Sequence, residues 1–510
     1  MLKHYSEEKI RKKMMSRRLI FSTLLFVLSF FPRLATAGEF QDDLKARRAR
    51  AMERLGPESM LILWSAPTKV YSHDVNYEYR QDSNLYYLTG IDQEDTTLVL
   101  MPGNLTRKEI LFVKERNPLR EHWTGHILSK EEATTQSGVE KVYLATEFEP
   151  FIRTILSRQP YDLPRYSSSP EFDIFFKALT GGRARLELIL SPKPGLFERL
   201  GPTFEFANRV KERSTGLLIQ DATDLLRDLR QVKTPYERKV LERSVEISNS
   251  AHLAGMKTAR PGAYEYEVKA AIEQVYKSSG ALGWGYPPIV GSGPNTNILH
   301  YEKSNRRMEA GDLLLVDAAA NYEYLTGDIT RTYPVSGTFS PLQKDIYRIV
   351  LAAQEQGMKI AKPGVRLSDI HEKTVQVVKE GLLKLGLITE TAGDQYRTWY
   401  THGACHFIGM DVHDVGDYDR PLEPGMAFVI EPGLYILDGA LENLPKSPEN
   451  DTFSQKVRPA FEKYKNIGVR IEDSFILTES GLKQLSARVP RTIEEIESFM
   501  QTHSKPSASR

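Results

Sequence analysis

The stretch GDLLLVDAAANYEYLTGDITRTYPVSG, residues 311–337, determines how we interpret the fold of the second half of this chain. Two apolar or β-branched runs flank a turn-prone middle, a pattern that predicts two strands joined as a hairpin. Each run is associated with one acidic residue, Asp317 in LLLVDAAA and Asp328 in TGDITRT. A carboxylate inside an apolar strand must be protonated, paired or bound to a metal ion, because an isolated buried charge is too costly.

Two later runs repeat this feature. GMAFVIEPGLYI, residues 425–436, places Glu431 among apolar neighbours, and IGVRIEDSFILT, residues 467–478, does the same with Glu472. We predict a strand for each run. An ion pair with Arg or Lys is the ordinary explanation for one such acid. Four of them in one domain favour a shared metal site instead.

A histidine cluster adjoins these acids in THGACHFIGMDVHDVG, residues 401–416. His402, His406 and His413 fall within 12 residues of a chain that has 11 histidines in 510. Their spacing fits one face of a helix, but the glycines and the β-branched and aromatic residues favour extended chain. Metal ligands, acid–base groups and packed side chains all stay open for the cluster alone. Combined with four carboxylates, one imidazole completes a site for two divalent ions, and this donor set suits Mn²⁺ better than Co²⁺, Fe²⁺ or Zn²⁺.

The composition is that of an ordinary globular protein, with 40% hydrophobic and 26% charged residues. Residues 1–37 carry eight Lys and Arg against two Glu, so their charge is +6 and the remainder of the +1 chain is −5. No basic surplus points to nucleic acid as a partner. Cys405 is the only cysteine, which excludes an internal disulfide.

The first 37 residues predict a secretory signal peptide. A basic stretch precedes the apolar run LIFSTLLFVLSFF, residues 19–31, and Ala35 and Ala37 fit the small-residue rule for cleavage. The run is short for a bilayer span, which needs about 20 residues. We therefore expect cleavage near Ala37/Gly38, export to the periplasm or the medium, and no stable membrane span afterwards. An uncleaved anchor is the alternative.

The remaining chain predicts two domains of mixed α/β (α+β) class. The runs SMLILWSA, TTLVLMP, KEILFV and LELILS alternate with helical segments and indicate an α/β domain over residues 38–231. Thr234 as an N-cap and Pro235 at the first helical position then begin a second domain over residues 232–495, which carries the four acids and the histidine cluster. We expect a surface loop over residues 439–467 and a disordered tail over 496–510.

The order of these acids and the histidine resembles that of the pita-bread dinuclear metallopeptidases, which include methionine aminopeptidases, prolidases and aminopeptidase P. Bacterial aminopeptidase P, the Xaa-Pro aminopeptidase, is the most similar. The likeness covers nearly the whole chain after the leader and is carried by these blocks: YRQDSNLYYLTGI, IVGSGPNTNILHY, VDAAANYEYLTGDITRTYPVSGTF, HGACHFIGMDVHDVG, EPGLYI and GVRIEDSFILTESG. The resemblance implies a creatinase/prolidase-like N-terminal domain followed by a pita-bread domain. It also implies an enzyme that releases the N-terminal residue from peptides with proline at the second position.

The resemblance also implies site residues. The implied metal ligands are Asp317, Asp328, His406, Glu431 and Glu472, with Asp328 and Glu472 bridging two ions. The implied catalytic residues are His300, His402, His413, Glu431 and Arg470. The implied substrate-binding residues are Tyr286, His300, His413 and Trp123. Trp123 would reach the active site of a neighbouring subunit, which implies a homo-oligomer, a dimer or tetramer.

The implied chemistry is hydrolysis by a hydroxide shared between the two ions. His413 would stabilise the negative oxygen and Glu431 would carry a proton to the leaving nitrogen. Two alternatives remain at this stage: a prolidase that cuts only Xaa-Pro dipeptides, and a non-catalytic pita-bread binding module. Trp123 could equally be a core aromatic.

Overall fold

The computed structural model describes residues 34–161 and 170–503. Contacts divide the chain into two compact units, Met1–Ala222 and Thr223–Arg510. The division precedes the predicted boundary at residues 231/232 because helix Thr223–Gln231 belongs to the second unit. Most of the predicted signal peptide, residues 1–33, lies outside the described residues, and the first helix begins at Leu34.

The first unit is built on a six-stranded sheet. Five strands run in one direction, and the strand Thr97–Leu100 is antiparallel to both of its neighbours. The four predicted strands in this unit are confirmed. In spatial order the strands are β6 (Lys141–Leu144), β5 (Glu109–Val113), β4 (Thr97–Leu100), β1 (Ser59–Trp64), β7 (Ala184–Leu188) and β8 (Leu217–Asp221).

Helices cover this sheet and bury its apolar side chains. Met60, Ile62 and Phe112 pack with Phe151 and Val210 in one core cluster. A separate short hairpin comprises β2 (Val70–Ser72) and β3 (Val75–Asn76). The helices of this unit are α1 (Leu34–Leu55), α2 (Ser83–Thr89), α3 (Pro118–Thr124), α4 (Lys130–Ser137), α5 (Phe148–Leu156), α6 (Asp173–Thr180) and α7 (Pro202–Arg213).

The predicted hairpin of residues 311–337 is confirmed in the second unit. Strands β11 (Leu313–Asp317) and β14 (Thr330–Pro334) are antiparallel, with Asp317 opposite Thr330 at the end of the ladder. The turn-prone middle forms two more short strands, β12 (Ala320–Tyr322) and β13 (Leu325–Thr326). β11 also pairs with β10 (Ile289–Ser292), and β12 with β9 (Gly283–Trp284).

The two later acidic runs are not single strands as expected, because each is interrupted at its acid. β15 (Ala427–Ile430) pairs with β18 (Asp473–Thr478), and beyond the break β16 (Gly433–Tyr435) pairs with β17 (Gly468–Arg470). The register is the same on both sides, since Ile430 lies opposite Asp473 and Gly433 opposite Arg470. That register places Glu431 opposite Glu472 at the break, where Pro432 has no N–H to donate. β19 (Gly481–Gln484) completes the β15–β18 sheet.

Helices surround these strands and form the main core of the unit. The predicted start at Thr234 and Pro235 is confirmed, with a capping box between Thr234 and Glu237. The helices are α8 (Thr223–Gln231), α9 (Pro235–Thr258), α10 (Glu265–Ser278), α11 (Pro341–Ile360), α12 (Leu367–Leu385), α13 (Pro448–Tyr464) and α14 (Ile493–His503).

Two expectations about the C-terminal part are wrong. Residues 439–467 are not a loop, because α13 occupies most of them and buries Phe453, Val457 and Phe461 at helical spacing. The tail is not disordered from residue 496, because α14 continues to His503 and buries Met500. Residues 504–510 lie outside the described residues.

None of the helices within residues 34–161 and 170–503 has both the length and the apolar character that a membrane crossing requires.

Candidate metal centre

Three acid-bearing segments of the second unit converge on one point. Glu472 forms a bridge with Thr330, and its N–H donates to the Thr330 carbonyl at 3.1 Å. This contact joins the break between β17 and β18 to the start of β14. Potential ligand atoms of Asp317, Asp328 and Glu472 consequently lie within 4.8 Å of one another, as do those of His406, Glu431 and Glu472. Glu472 belongs to both groups, which fits the bridging role that the resemblance implies.

His406 presents one ring nitrogen to these carboxylates. Its Nδ1 donates to the Phe407 carbonyl at 3.1 Å, which leaves Nε2 as the available ligand atom. Nε2 lies 3.4 Å from Asp328, 3.6 Å from Glu431 and 3.7 Å from Glu472. Atoms bonded at about 2.1 Å to one ion lie roughly 3.0–3.4 Å apart, so the cluster is slightly wider than a closed coordination shell.

The cluster is electrostatically unfavourable without cations. Burial raises the pKa of Asp328 well above its ordinary value, and Glu472 and Asp317 add to this effect. Burial and Glu472 likewise raise the pKa of Glu431. Like charges opposite each other in a ladder destabilise it, and the Glu431–Glu472 pair is such a case. Divalent cations would remove this repulsion.

One carboxylate oxygen is available to an ion. Among the residues that the structure describes, Oε1 of Glu472 is buried and accepts no hydrogen bond, whereas Oε2 accepts one from the Thr330 hydroxyl at 2.7 Å. A buried carboxylate oxygen without a donor is expected to have another partner, such as a cation. Together with the oxygen-rich donor set, this orphaned atom shows that the residues fit divalent ions.

Asp317 is held by two neighbours. Arg470 Nη2 donates to Asp317 Oδ2, and the Tyr286 hydroxyl lies at hydrogen-bond distance from both Asp317 and Asp328. Burial alone would raise the pKa of Asp317, but Arg470 and Tyr286 outweigh it and lower that pKa. The structure thus places the Tyr286 hydroxyl on the ligands, while its contact with substrate stays a prediction.

The other histidines lie around the cluster. The rings of His413 and His406 are perpendicular, with centroids 4.5 Å apart, and His413 is exposed. Burial, His406 and His300 lower the pKa of His413, so His300 is close enough to act on it. His402 Nδ1 lies 3.6 Å from Glu431 Oε2. His402 and His413 therefore lie beside the centre, and His413 is also within ligand range of Asp328 and His406. A place for His300 beside the ions stays a prediction.

Sequence reasoning missed Tyr435, which connects two predicted residues. Arg470 Nη1 donates to its hydroxyl at 2.9 Å, and that hydroxyl is 2.8 Å from His402 Nε2. Because His402 Nδ1 donates to the Gly403 carbonyl at 2.8 Å, Nε2 accepts the Tyr435 proton. Burial, followed by the charge of Arg470, lowers the pKa of His402 to about 4, which matches this neutral tautomer. The only signal in the sequence was the position of Tyr435 within EPGLYI.

Trp123 and Cys405 differ in their settings. Trp123 belongs to the first unit, lies in α3 and is 86% exposed, so the alternative that it is a core aromatic is wrong, while its contact with substrate stays a prediction. Cys405 is partly buried between two apolar clusters of the second unit.

Comparisons with known proteins identify the family of this chain. A model of metallopeptidase family M24 matches residues 239–479, and a model of the aminopeptidase P N-terminal domain matches residues 44–163. The M24 match contains all five predicted metal ligands, and the N-terminal match contains Trp123.

Relatives and solved structures extend over nearly the whole chain. The Xaa-Pro aminopeptidase of Haemophilus influenzae is 33% identical over 469 residues, which cover 90% of this chain and 97% of the relative. Aminopeptidase PepP of Pseudomonas aeruginosa has a TM-score of 0.75 at 32% identity, covering 91% of this chain and 98% of that one. Zinc-substituted Escherichia coli aminopeptidase P in complex with product has a TM-score of 0.74 at 31% identity, covering 91% and 98%. The chain belongs to metallopeptidase family M24 and is a metal-dependent Xaa-Pro aminopeptidase.

Proposed function

We propose that the five clustered ligands hold two divalent ions, most suitably Mn²⁺, and that the enzyme uses them to release the first residue of Xaa-Pro peptides. The observation that carries this proposal is the Glu431–Glu472 pair, because the register places the partly buried Glu431 opposite the buried Glu472, with His406 Nε2 beside both. Cations bound to both members would remove the repulsion within this pair. When bound, the ions supply a lowered pKa for water and polarisation of the scissile carbonyl.

The chain's own residues divide the remaining work. His413 donates to the carbonyl oxygen as negative charge develops there, the contribution expected of an oxyanion-type donor. Glu431 carries a proton to the leaving proline nitrogen, for which its Oε2 lies on the side of His402. His300 and His402 bind the substrate, and Arg470 keeps Asp317 oriented. Tyr435 holds His402 in its neutral form, so the His402 ring carries no positive charge beside the substrate amine.

The first unit supplies the proposed contact between subunits. Leu119 and Trp123 are four residues apart in α3, so they lie on the same face of that helix, and they are 80% and 86% exposed. Adjacent exposed apolar side chains mark interaction surfaces in soluble proteins. We therefore propose a homo-oligomer, a dimer or tetramer, in which Trp123 reaches substrate bound to a neighbouring subunit.

The leader determines the proposed location. The Ala35–Ala37 pattern supports cleavage near Gly38 and a periplasmic or secreted enzyme. N-terminal sequencing of protein recovered from an exported fraction should begin at or near Gly38. Recovery from the cytosol alone, with residues 14–37 intact, contradicts this location.

One experiment tests the function and its metal together. Purified protein is analysed for metals and assayed on an Xaa-Pro dipeptide and on a longer Xaa-Pro-Yaa peptide, before and after chelation. We expect cleavage of the first bond of the longer peptide, loss of activity in chelator and recovery with Mn²⁺. Full activity after exhaustive metal removal contradicts the mechanism, and cleavage of the dipeptide alone identifies a prolidase instead.

A further inference from the structure

A buried ion cluster connects the start of the second unit to the loop that bears His413. Asp414 follows His413 in the sequence, and its side chain is 1% exposed. Arg230 Nη2 donates to Asp414 Oδ1 at 2.5 Å, and Lys233 Nζ donates to Oδ2 at 2.7 Å. Lys233 Nζ also donates to the backbone carbonyl of Arg230 at 2.7 Å, so the lysine is fixed to the chain at residue 230 as well as to the acid.

The loop closes around this carboxylate. The N–H of Asp414 donates to the Phe407 carbonyl at 2.9 Å, which brings the two ends of the 407–414 segment together. A Cβ added at Gly409 would lie 2.1 Å from Asp414 Oδ2 and 2.8 Å from Lys233 Nζ, so only glycine fits beneath the ion cluster. Arg230 Nη2 additionally donates to Asp411 at 2.7 Å. The cluster therefore determines the path of the backbone on both sides of His413.

Stability alone is a weak reason for this arrangement. Removing three charges from water costs about as much as their attraction returns, and apolar replacements of buried ion pairs are often neutral or stabilising. Burial would raise the pKa of Asp414, but Lys233 and Arg230 outweigh it and keep that pKa below its ordinary value. The carboxylate is thus ionised and bonded at both oxygens, which gives the loop one geometry.

We propose that Arg230, Lys233 and Asp414 form a positioning cluster that holds His413 at the distance from the metal centre that the reaction requires. The inference rests on the role given to His413 under the proposed function. The three residues act through His413 and are not catalytic themselves. Misplacing a reacting group by about 1 Å can cost about a hundredfold in rate. A loop that is fixed through both carboxylate oxygens of Asp414 prevents such a displacement of His413.

The test is a double-mutant cycle on the full-length enzyme loaded with Mn²⁺. Asp414→Asn keeps the shape and removes the charge, and we expect kcat to fall about 10- to 100-fold, the range found for residues that orient an active group. KM and the measured Mn²⁺ content should stay within about threefold of wild type, because the three residues are buried and belong to none of the groups of potential metal ligands. In a His413→Ala background the same change should lower kcat by less than about threefold, because the group it positions is gone.

A second variant and a control keep the test decisive. Lys233→Met removes one of the two donors to Asp414 and should show the same pattern with a smaller loss, which covers the case in which Asp414→Asn does not fold. Glu497→Gln is the matched control, because Glu497 also pairs with a lysine, Lys344 at 2.9 Å, and accepts from the Phe339 N–H at 2.9 Å. It should lose stability with kcat unchanged.

Three results overturn the inference: near-normal kcat in Asp414→Asn, losses that multiply with those of His413→Ala, or loss of Mn²⁺ in the cluster variants. If His413→Ala is itself near normal, the role proposed for His413 fails and the inference fails with it. If His413→Ala is impaired while Asp414→Asn is normal, only the positioning cluster is wrong.

Discussion

Replacing Glu472 with Gln should shift the unfolding temperature in opposite directions with and without metal. Glu472 is 1% exposed, and its ligand atom lies within 4.8 Å of those of Asp317 and Asp328. Two unit charges at that distance repel by about 3.5 kcal/mol at an effective dielectric constant of about 20. Protonation of neighbours whose pKa is raised relieves part of this repulsion. We expect Glu472→Gln to stabilise the chelated protein by about 1–3 kcal/mol.

With metal bound, the same substitution should destabilise the protein. An amide replaces a carboxylate that belongs to both ligand groups, so the affinity for the ions falls. A hundredfold loss of affinity for each of the two ions removes about 5.4 kcal/mol of stabilisation by bound ligand, which exceeds the roughly 1–3 kcal/mol gained in chelator. The net effect in Mn²⁺ is therefore a lower unfolding temperature than that of the wild type, despite the relief of charge repulsion.

Thermal unfolding of wild type and variant, each in chelator and in excess Mn²⁺, measures both signs. Glu497→Gln serves again as control and should lower the unfolding temperature equally in the two conditions, because its partner is Lys344. A Glu472→Gln protein that is destabilised in chelator, or one that binds Mn²⁺ as tightly as the wild type, refutes the assignment of Glu472 as a shared ligand.

Three further predictions concern the same unit. His406→Ala should lose metal and activity together, whereas His413→Ala should keep its ions and lose about two to three orders of magnitude in kcat. Metal analysis and steady-state kinetics of both variants distinguish these outcomes. Loss of metal in His413→Ala with metal retained in His406→Ala contradicts the assignment. Folding raises the pKa of Glu431, so the folded protein binds this proton more tightly than the unfolded chain does. The resulting contribution to the free energy of unfolding is complete below the unfolded pKa of about 4.3, and it is lost as the pH rises towards the folded pKa. The chelated protein should therefore unfold at a higher temperature at pH 5 than at pH 8, and no such fall should occur in Mn²⁺. Gly409→Ala should cost about 1–3 kcal/mol or more in urea unfolding, since its methyl group would overlap Asp414; an unchanged midpoint contradicts the packing.

Several features follow from the sequence because they depend on neighbours along the chain. The hairpin over residues 311–337 is visible in its two apolar runs, and Thr234 with Pro235 marks a helix start through local capping chemistry. The four acids stand out because a charge in an apolar run is costly wherever the strand lies. Their convergence was inferred, and the structure brings them within 4.8 Å in overlapping groups.

Two errors arose where local composition conflicted with tertiary packing. Charged residues and prolines led us to predict a loop over 439–467, but Phe453, Val457 and Phe461 bury one face of a helix in the core. The same spacing places Ile496 and Met500 in the core at the end of the chain. Burial of one apolar face stabilises these helices, and composition averages over both faces.

The candidate metal ligands can be read from the amino-acid sequence, since residue type and local burial are enough to identify a costly carboxylate. How those residues are held depends on contacts between distant segments. The register that places Glu431 opposite Glu472, the Tyr435 link between Arg470 and His402, and the approach of residues 230–233 to the His413 loop all join segments that are far apart in the chain. Such contacts form because folding brings hydrogen-bond donors and acceptors together in space, and no local pattern records which distant partner each side chain meets.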